Sequence, residues 1–162
     1  MTTVLAVDLG SASGRVLAGT LTDGRLEVTD IHRFKHQARR REDGTLTWDV
    51  ATMEAETING LTKALEQFPD ARAVSIDTWG VDWAPLDEDG RLVGDVIAYR
   101  DERTSRTLDA FRERIADREF FDLTGNQHAT INTANQLFAY LREEPEAASR
   151  VAAALLLTDY FA

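Results

Sequence analysis

AVDLGSASGR, residues 6–15, runs from apolar residues into a carboxylate at Asp8, then through a short, small-residue turn to Arg15. The residues up to Asp8, with TVLAVD at 3–8, read as a buried strand. The segment after the turn decides the fold. Arg15 to Thr22 (RVLAGTLT) is again rich in β-branched and apolar residues, so the chain passes into a second strand and not into a helix. That excludes a GxGxxG loop opening a helix, and the lack of a Lys-Ser/Thr pair after the glycines excludes a Walker A loop. Gly10 to Gly14 then reads as a β-turn whose small residues let an anion approach the main-chain N–H groups, with Arg15 as a bidentate phosphate donor. The bland alternative is an ordinary glycine-rich turn.

Outward from this stretch, RLEVTDIHRF (25–34) is a third strand, joined to the second through the hairpin signal Asp23-Gly24. Lys35 to Gly44, with Arg39-Arg40-Arg41, reads as a solvated loop, and Thr45 to Trp48 as a short strand returning to the sheet. Asp49 stands as a helix N-cap before Met53, Thr57, Leu61, Leu65 and Phe68 at helical spacing, and Pro69-Asp70 marks the end. AVSID (73–77) after that helix predicts a strand parallel to the first through a crossover. Val81–Leu86 and Arg91–Ala98 flank a second hairpin signal, Asp89-Gly90. Beyond Asp101 the texture is helical, with one stripe at Leu108, Phe111 and Ile115 and another at Leu137, Phe138 and Leu141 within 132–142. The sequence closes on AAALLLTDYF without a cap or polar tail, which reads as a cut end. Three strands, a helix and a further strand make an α/β fold with a mixed sheet flanked by helices.

The chain has 162 residues, 43% hydrophobic and 28% charged, as expected of one soluble domain with a sizeable core. No linker or repeat interrupts it. A net charge of -10 disfavours nucleic acid or an anionic membrane as a partner. With no Cys and three His, thiolate metal sites and cysteine nucleophiles are excluded and a His-rich zinc site is disfavoured. Neither a signal peptide nor an apolar span of membrane length is evident, so a cytoplasmic location is expected.

Asp8 and Asp77 end two strands that the crossover makes neighbours. Paired carboxylates at one sheet edge suit a hydrated Mg²⁺, although Asp also caps turns at strand ends. IDTWGVDW (76–83) offers Trp79 and Gly80 as a platform for a sugar face, with at least one of the tryptophans expected in the core. YRDERTSR (99–106) is charge-dense and reads as a solvated face. His128 is either a ligand contact or a satisfied structural histidine, and no Ser-His-Asp set can be assembled.

Taken together, AVDLGSASGR, IHRF, LTWDV, SIDTWGVDW, VIAYRDERT and LLLTDYF resemble, in that order, the N-terminal domain of the rhamnulokinase group of the FGGY carbohydrate kinases, from Val4 to Phe161. The resemblance implies a ribonuclease H-like, actin/hexokinase-type domain, one of two that close over a cleft. It implies transfer of the ATP γ-phosphoryl group, with Mg²⁺, to the 1-hydroxyl of L-rhamnulose. Residue by residue, Ser11, Ala12, Ser13, Gly14 and Arg15 match the phosphate-binding turn, Asp8 the carboxylate near the metal, and Gly80 a sugar contact. Trp79, Asp77 and Arg100 join the sugar side from the residues themselves. The family's base aspartate and second domain are expected beyond Ala162, leaving residues 1–162 as an N-terminal kinase domain inactive alone. Other readings are a kinase for L-fuculose or a pentulose, a ribonuclease H-like nuclease using Asp8 and Asp77, and a non-catalytic sugar-sensing module.

Overall fold

A computed structural model describes residues 1–162. The chain begins with β1 (Thr2–Leu9), β2 (Ser13–Thr22) and β3 (Arg25–Lys35), followed by the short strands β4 (Arg39–Arg40) and β5 (Leu46–Trp48). Helix α1 (Val50–Gln67) leads to β6 (Val74–Thr78), β7 (Trp83–Leu86) and β8 (Val96–Ile97). Helices α2 (Arg103–Arg112), α3 (Asp117–Thr124), α4 (Thr133–Glu143) and α5 (Pro145–Ala148) precede β9 (Ala153–Leu156) and α6 (Leu157–Phe161). The chain gathers into two compact units, the first of residues 1–39, 49–80 and 157–162, the second of residues 40–48 and 81–156.

The first unit is built on a sheet of order β3-β2-β1-β6. Its pairs β1–β2 and β2–β3 are antiparallel and β1–β6 is parallel, the mixed sheet that the sequence predicts. The β2–β3 turn needs left-handed backbone at both central residues, and Asp23 (φ 49°) and Gly24 (φ 78°) supply it. Strict alternation in β1 buries Thr3, Leu5, Val7 and Leu9 on one face. Over that face Met53 and Ala64 of α1 join Leu5, Val7, Leu9, Val16, Ala18 and Phe34 in one core. Each such aliphatic side chain, fully buried, contributes roughly 1.5–3 kcal/mol of transfer free energy. Asp49 caps α1 as expected, its Oδ1 accepting from Thr52 N at 3.1 Å. Leu65, placed on the apolar stripe by spacing alone, is instead 49% exposed.

The second unit departs further from expectation. The strand at 46–48 does not return to the first sheet: β5 pairs with β8 in a separate sheet of order β4-β5-β8, whose first strand lies in the stretch read as loop. The turn at Asp89-Gly90 forms, with Gly90 N donating to Asp87 O at 3.0 Å, but beyond a bridge between Leu86 and Leu92 its arms part. β7 takes β9 as its antiparallel partner, so a long-range pairing replaces the local hairpin. In α4 the buried residues are Asn135, Gln136, Ala139 and Tyr140, while Leu141 is 63% exposed. The core here forms around Trp83, Ile97 and Tyr140, with Trp83 and Tyr140 edge to face at 5.1 Å. Burial of Trp83 fulfils the expectation of a core tryptophan within IDTWGVDW.

Candidate functional site

At one edge of the first unit's sheet, four segments converge: the end of β1, the turn into β2, the end of β3 and the end of β6. Register places Asp8 directly beside Asp77 on the parallel pair and opposite Arg15 on the antiparallel one. The Arg15 guanidinium reaches back across the hairpin, donating from Nε to Asp8 Oδ2 at 2.8 Å, with Nη2 at 2.6 Å from the same oxygen. Both side chains are about half exposed, so the pair orients charge at the edge more than it stabilises the fold. A guanidinium held this way still has N–H groups to offer to an anion.

The turn is closed by Gly10 N donating to Ser13 O at 2.9 Å. Ala12 and Ser13 are exposed and Ser11 half-buried, so the turn presents backbone and hydroxyls at the surface. Gly14 is small for a different reason from the approach of a ligand. A Cβ there would lie 2.2 Å from Phe34 Cζ and 2.9 Å from Leu9 Cδ2, so its absence makes room for the Phe34 ring. Beside the turn, a groove of about 470 Å³ is lined by Ala12, Lys35, His36, Gln37, Arg39, Asp49 and Thr52. Arg39 is fixed there by an ion pair to Asp49 at 2.6 Å. Lys35 and Arg39 give this flank positive charge within a chain of net charge -10, a local sign suited to an anion.

On the β6 side, Asp77 is exposed and Trp79 half-buried, and a Cβ at Gly80 would meet nothing within 4 Å. Neither backbone angle nor packing within the chain therefore requires glycine at 80. Sequence reading missed His36, which is 9% exposed and faces Trp79 with ring centroids 6.1 Å apart at 22°. Its only signal is that it continues the buried alternation of Phe34 beyond the end of β3. Burial lowers the His36 pKa below the ordinary 6.5, opposed by the nearby Gly10 main chain. The neutral ring is thus favoured in the fold while the unfolded chain takes up the proton more readily. Stability is complete above the unfolded value and is lost as pH falls below about 6.5. Denaturant unfolding of the chain between pH 7 and pH 5 is expected to lose more stability for the wild type than for His36→Phe. Equal losses would contradict this assignment.

Asp8, Ser11, Ala12, Ser13, Gly14, Arg15, Asp77, Trp79 and Gly80 thus all belong to this edge of the first unit. Arg100 lies in the second unit, exposed, its Nε donating to Tyr99 Oη at 2.9 Å and its guanidinium over the same ring. No group of three or more His, Cys, Asp or Glu side chains here encloses a metal site. The adjacent carboxylates of Asp8 and Asp77 fit a hydrated, oxygen-seeking cation with few protein ligands, and provide little for a two-metal nuclease centre.

The charged motif at 99–106 is only partly the solvated face that its composition suggests: Glu102 and Arg106 are exposed, as expected, but two other charged residues are not. Asp101 and Arg103 are 7% and 3% exposed. Asp101 accepts from Leu46 N at 2.7 Å and Arg103 N at 2.9 Å, and the Arg103 guanidinium lies over the Tyr140 ring. Asp82 is likewise fully buried and accepts from Trp48 Nε1. His128 resolves as structural, its side chain 1% exposed, with Asp117 at 2.9 Å, Asn135 at 3.1 Å and Phe120 stacked on its ring. Arg40 and Arg41 stay exposed, as does Arg39, but pair with Gly44 O, Asp43 and Asp95.

Residues 3–162 match the FGGY family of carbohydrate kinases, N-terminal domain. A rhamnulokinase of Klebsiella pneumoniae (strain 342) is 41% identical over 159 residues, which are 97% of this chain and 32% of that protein. The chain spans about a third of the length of the curated relatives it matches. Among solved structures, a xylulose kinase from Rhodospirillum rubrum is similar with a TM-score of 0.82 at 20% identity, over 98% of this chain and 33% of that one. A gluconate kinase from Lactobacillus acidophilus gives a TM-score of 0.83 at 13% identity, over 99% and 32%. Those two likenesses establish the fold, the actin/hexokinase-type domain that the family resemblance implies.

Proposed function

We propose, because the chain belongs to the FGGY family of carbohydrate kinases, that it supplies the phosphate-binding and part of the sugar-binding surface of a cytoplasmic kinase. That enzyme transfers the ATP γ-phosphoryl group to the 1-hydroxyl of L-rhamnulose. The observation that carries this reading is the convergence of the Asp8–Arg15 pair, the small turn from Gly10 to Gly14 and the Trp79-Gly80 step at one sheet edge. The preference for L-rhamnulose over other ketoses rests on the relatives that carry the rhamnulokinase name and on the motifs shared with that group.

In this reading the main-chain N–H groups of Ser11, Ala12 and Ser13 and the hydroxyls of Ser11 and Ser13 receive the nucleotide phosphates. Gly14 keeps the turn tight against Phe34, and Arg15 shares its charge between Asp8 and the phosphate oxygens. Asp8, with Asp77 beside it, is the carboxylate near Mg²⁺, which when bound screens the charge of the nucleotide oxygens. On the sugar side Trp79 offers its ring, Gly80 lets the ketose approach the main chain, and Asp77 is a polar candidate. Positioning and electrostatic stabilisation account for most of the catalysis in phosphoryl transfer, and exposed, preorganised donors of this kind provide both. The base that takes the hydroxyl proton belongs to residues outside 1–162, as does the adenosine pocket.

The test is ATP consumption by the protein encoded by the full reading frame, measured with L-rhamnulose, L-fuculose and a pentulose, and repeated on residues 1–162 alone. Turnover is expected to be highest with L-rhamnulose and absent from 1–162. Preference for another ketose would move the substrate assignment, and normal turnover by 1–162 would overturn the division of labour.

Gly80 gives a sharper local check. Because nothing within the chain fills the space of a Cβ at 80, Gly80→Ala is expected to be neutral or to stabilise by up to about 1 kcal/mol. The same change obstructs a ketose lying on the main chain, and the ketose KM is expected to rise about tenfold with the ATP KM unchanged. An unchanged ketose KM would remove Gly80 from the sugar surface.

A further inference from the structure

We propose that His36 is a positioning residue that holds the phosphate-binding turn on one side and the Trp79 ring on the other, so that the nucleotide and sugar surfaces are set by one side chain. The inference rests on the sugar-kinase reading and extends it to a residue outside the motifs that identify the family.

Three contacts made by His36 converge on the site. Its main-chain N–H donates to Ala12 O at 3.3 Å, joining the end of β3 to the middle of the turn. Its imidazole lies in polar contact with the Gly10 main chain, at the residue whose own N–H closes the turn onto Ser13 O. Its ring plane faces Trp79, the residue after β6 and next to Gly80, at 6.1 Å and 22°. Phe34 also packs near it, with ring centroids 6.0 Å apart, so the imidazole closes the row of rings that runs from His32 and Phe34 of β3 to His36 just beyond it. At 9% exposure the ring has little freedom to leave this place.

A buried ring in this place links two surfaces that no strand pairing connects directly: β3 and β6 are the two outer strands of the sheet, with β2 and β1 between them. Polar contact with the Gly10 main chain bears on the turn, whereas stacking bears on the tryptophan, and the two functions use different properties of the same side chain. They can therefore be separated by substitution. Phe keeps a planar ring of similar width but loses the polar contact with Gly10. Asn and Gln keep an amide N–H that reaches as far as ring Nδ1 or Nε2 but lose the stacking face.

The experiment measures kcat and both KM values for the full-length protein with His36→Ala, His36→Phe, His36→Asn and His36→Gln, alongside unfolding midpoints. His36→Ala is expected to raise both KM values by roughly three- to tenfold, the scale of one hydrogen bond or one aromatic contact. His36→Phe is expected to restore the ketose KM alone. The better-fitting of the two amides is expected to restore the ATP KM alone. KM values that stay at the wild-type level in every variant, or that move together in step with the loss of thermal stability, would overturn the proposal by reducing His36 to a packing residue. If His36→Ala does not fold, the near-isosteric Phe variant still decides, since it must raise the ATP KM and spare the ketose KM. A wild-type protein without turnover of any ketose would overturn the kinase reading itself, a result distinct from wild-type turnover with unaltered His36 variants.

Discussion

Asp8→Asn is expected to lower kcat of the full-length protein by roughly 10²–10³ while leaving the fold intact, the scale at which loss of one preorganised charged or polar group acts on a transition state. The carboxylate sits at the end of β1, beside Asp77 and opposite Arg15, at the point where the sheet edge meets the turn. Asn keeps the size and one acceptor oxygen but removes the charge that the Arg15 guanidinium and a Mg²⁺ ion both seek. Because the Asp8–Arg15 pair is half exposed, its loss is expected to change stability by no more than about 1 kcal/mol. A normal kcat with the fold intact would remove Asp8 from the site. A large fall in the unfolding midpoint would make the pair structural.

Gly14→Ala is expected to produce the largest loss of stability of any single methyl group added at the turn. The new Cβ would stand 2.2 Å from Phe34 Cζ and 2.6 Å from Phe34 Cε1, distances that require the ring to move. Phe34 is 9% exposed and belongs to the core under α1, so it has little room to yield. Overpacking of this kind costs roughly 1–3 kcal/mol. Denaturant unfolding of Gly14→Ala against the wild type checks the size of the effect. The double variant Gly14→Ala/Phe34→Leu checks its cause. Shrinking the ring is expected to cost less in the Gly14→Ala background than in the wild type, because it relieves the clash. Additive losses would mean that Gly14 is small for another reason. One of the two glycines of the AVDLGSASGR turn is thus placed by the core beneath it.

The part of the fold legible in the sequence is the part whose contacts are local or fixed by pattern. Alternation in β1, the left-handed turn at Asp23-Gly24 and the Asp49 cap each determine their own neighbourhood, and the crossover after α1 leaves β6 beside β1. The second unit is less legible because its pairings join segments far apart in the chain. β7 passes over its local hairpin partner in favour of β9, about 70 residues later. Burial of Asp82, Asp101 and Arg103 was hidden for a related reason. Charge predicts exposure unless a partner compensates, and here the partners are Trp48 Nε1, Leu46 N and the Tyr140 ring, all distant in sequence. At the site, the carboxylates, the turn and the Trp-Gly step were legible as motifs. His36 was not, because a histidine two residues beyond a buried Phe carries no local sign that it will meet both the turn and a tryptophan.

The most direct measurement is ³¹P NMR of the full-length protein with ATP, Mg²⁺ and L-rhamnulose, wild type beside Asp8→Asn. Wild-type enzyme is expected to convert the γ-phosphoryl resonance of ATP into that of a sugar 1-phosphate, with the folded Asp8→Asn variant slower by roughly 10²–10³. A wild-type protein that forms no phosphorylated ketose from L-rhamnulose, L-fuculose or a pentulose, or equal rates for the two proteins, would contradict the assignment of this sheet edge as the phosphate-binding half of a sugar kinase.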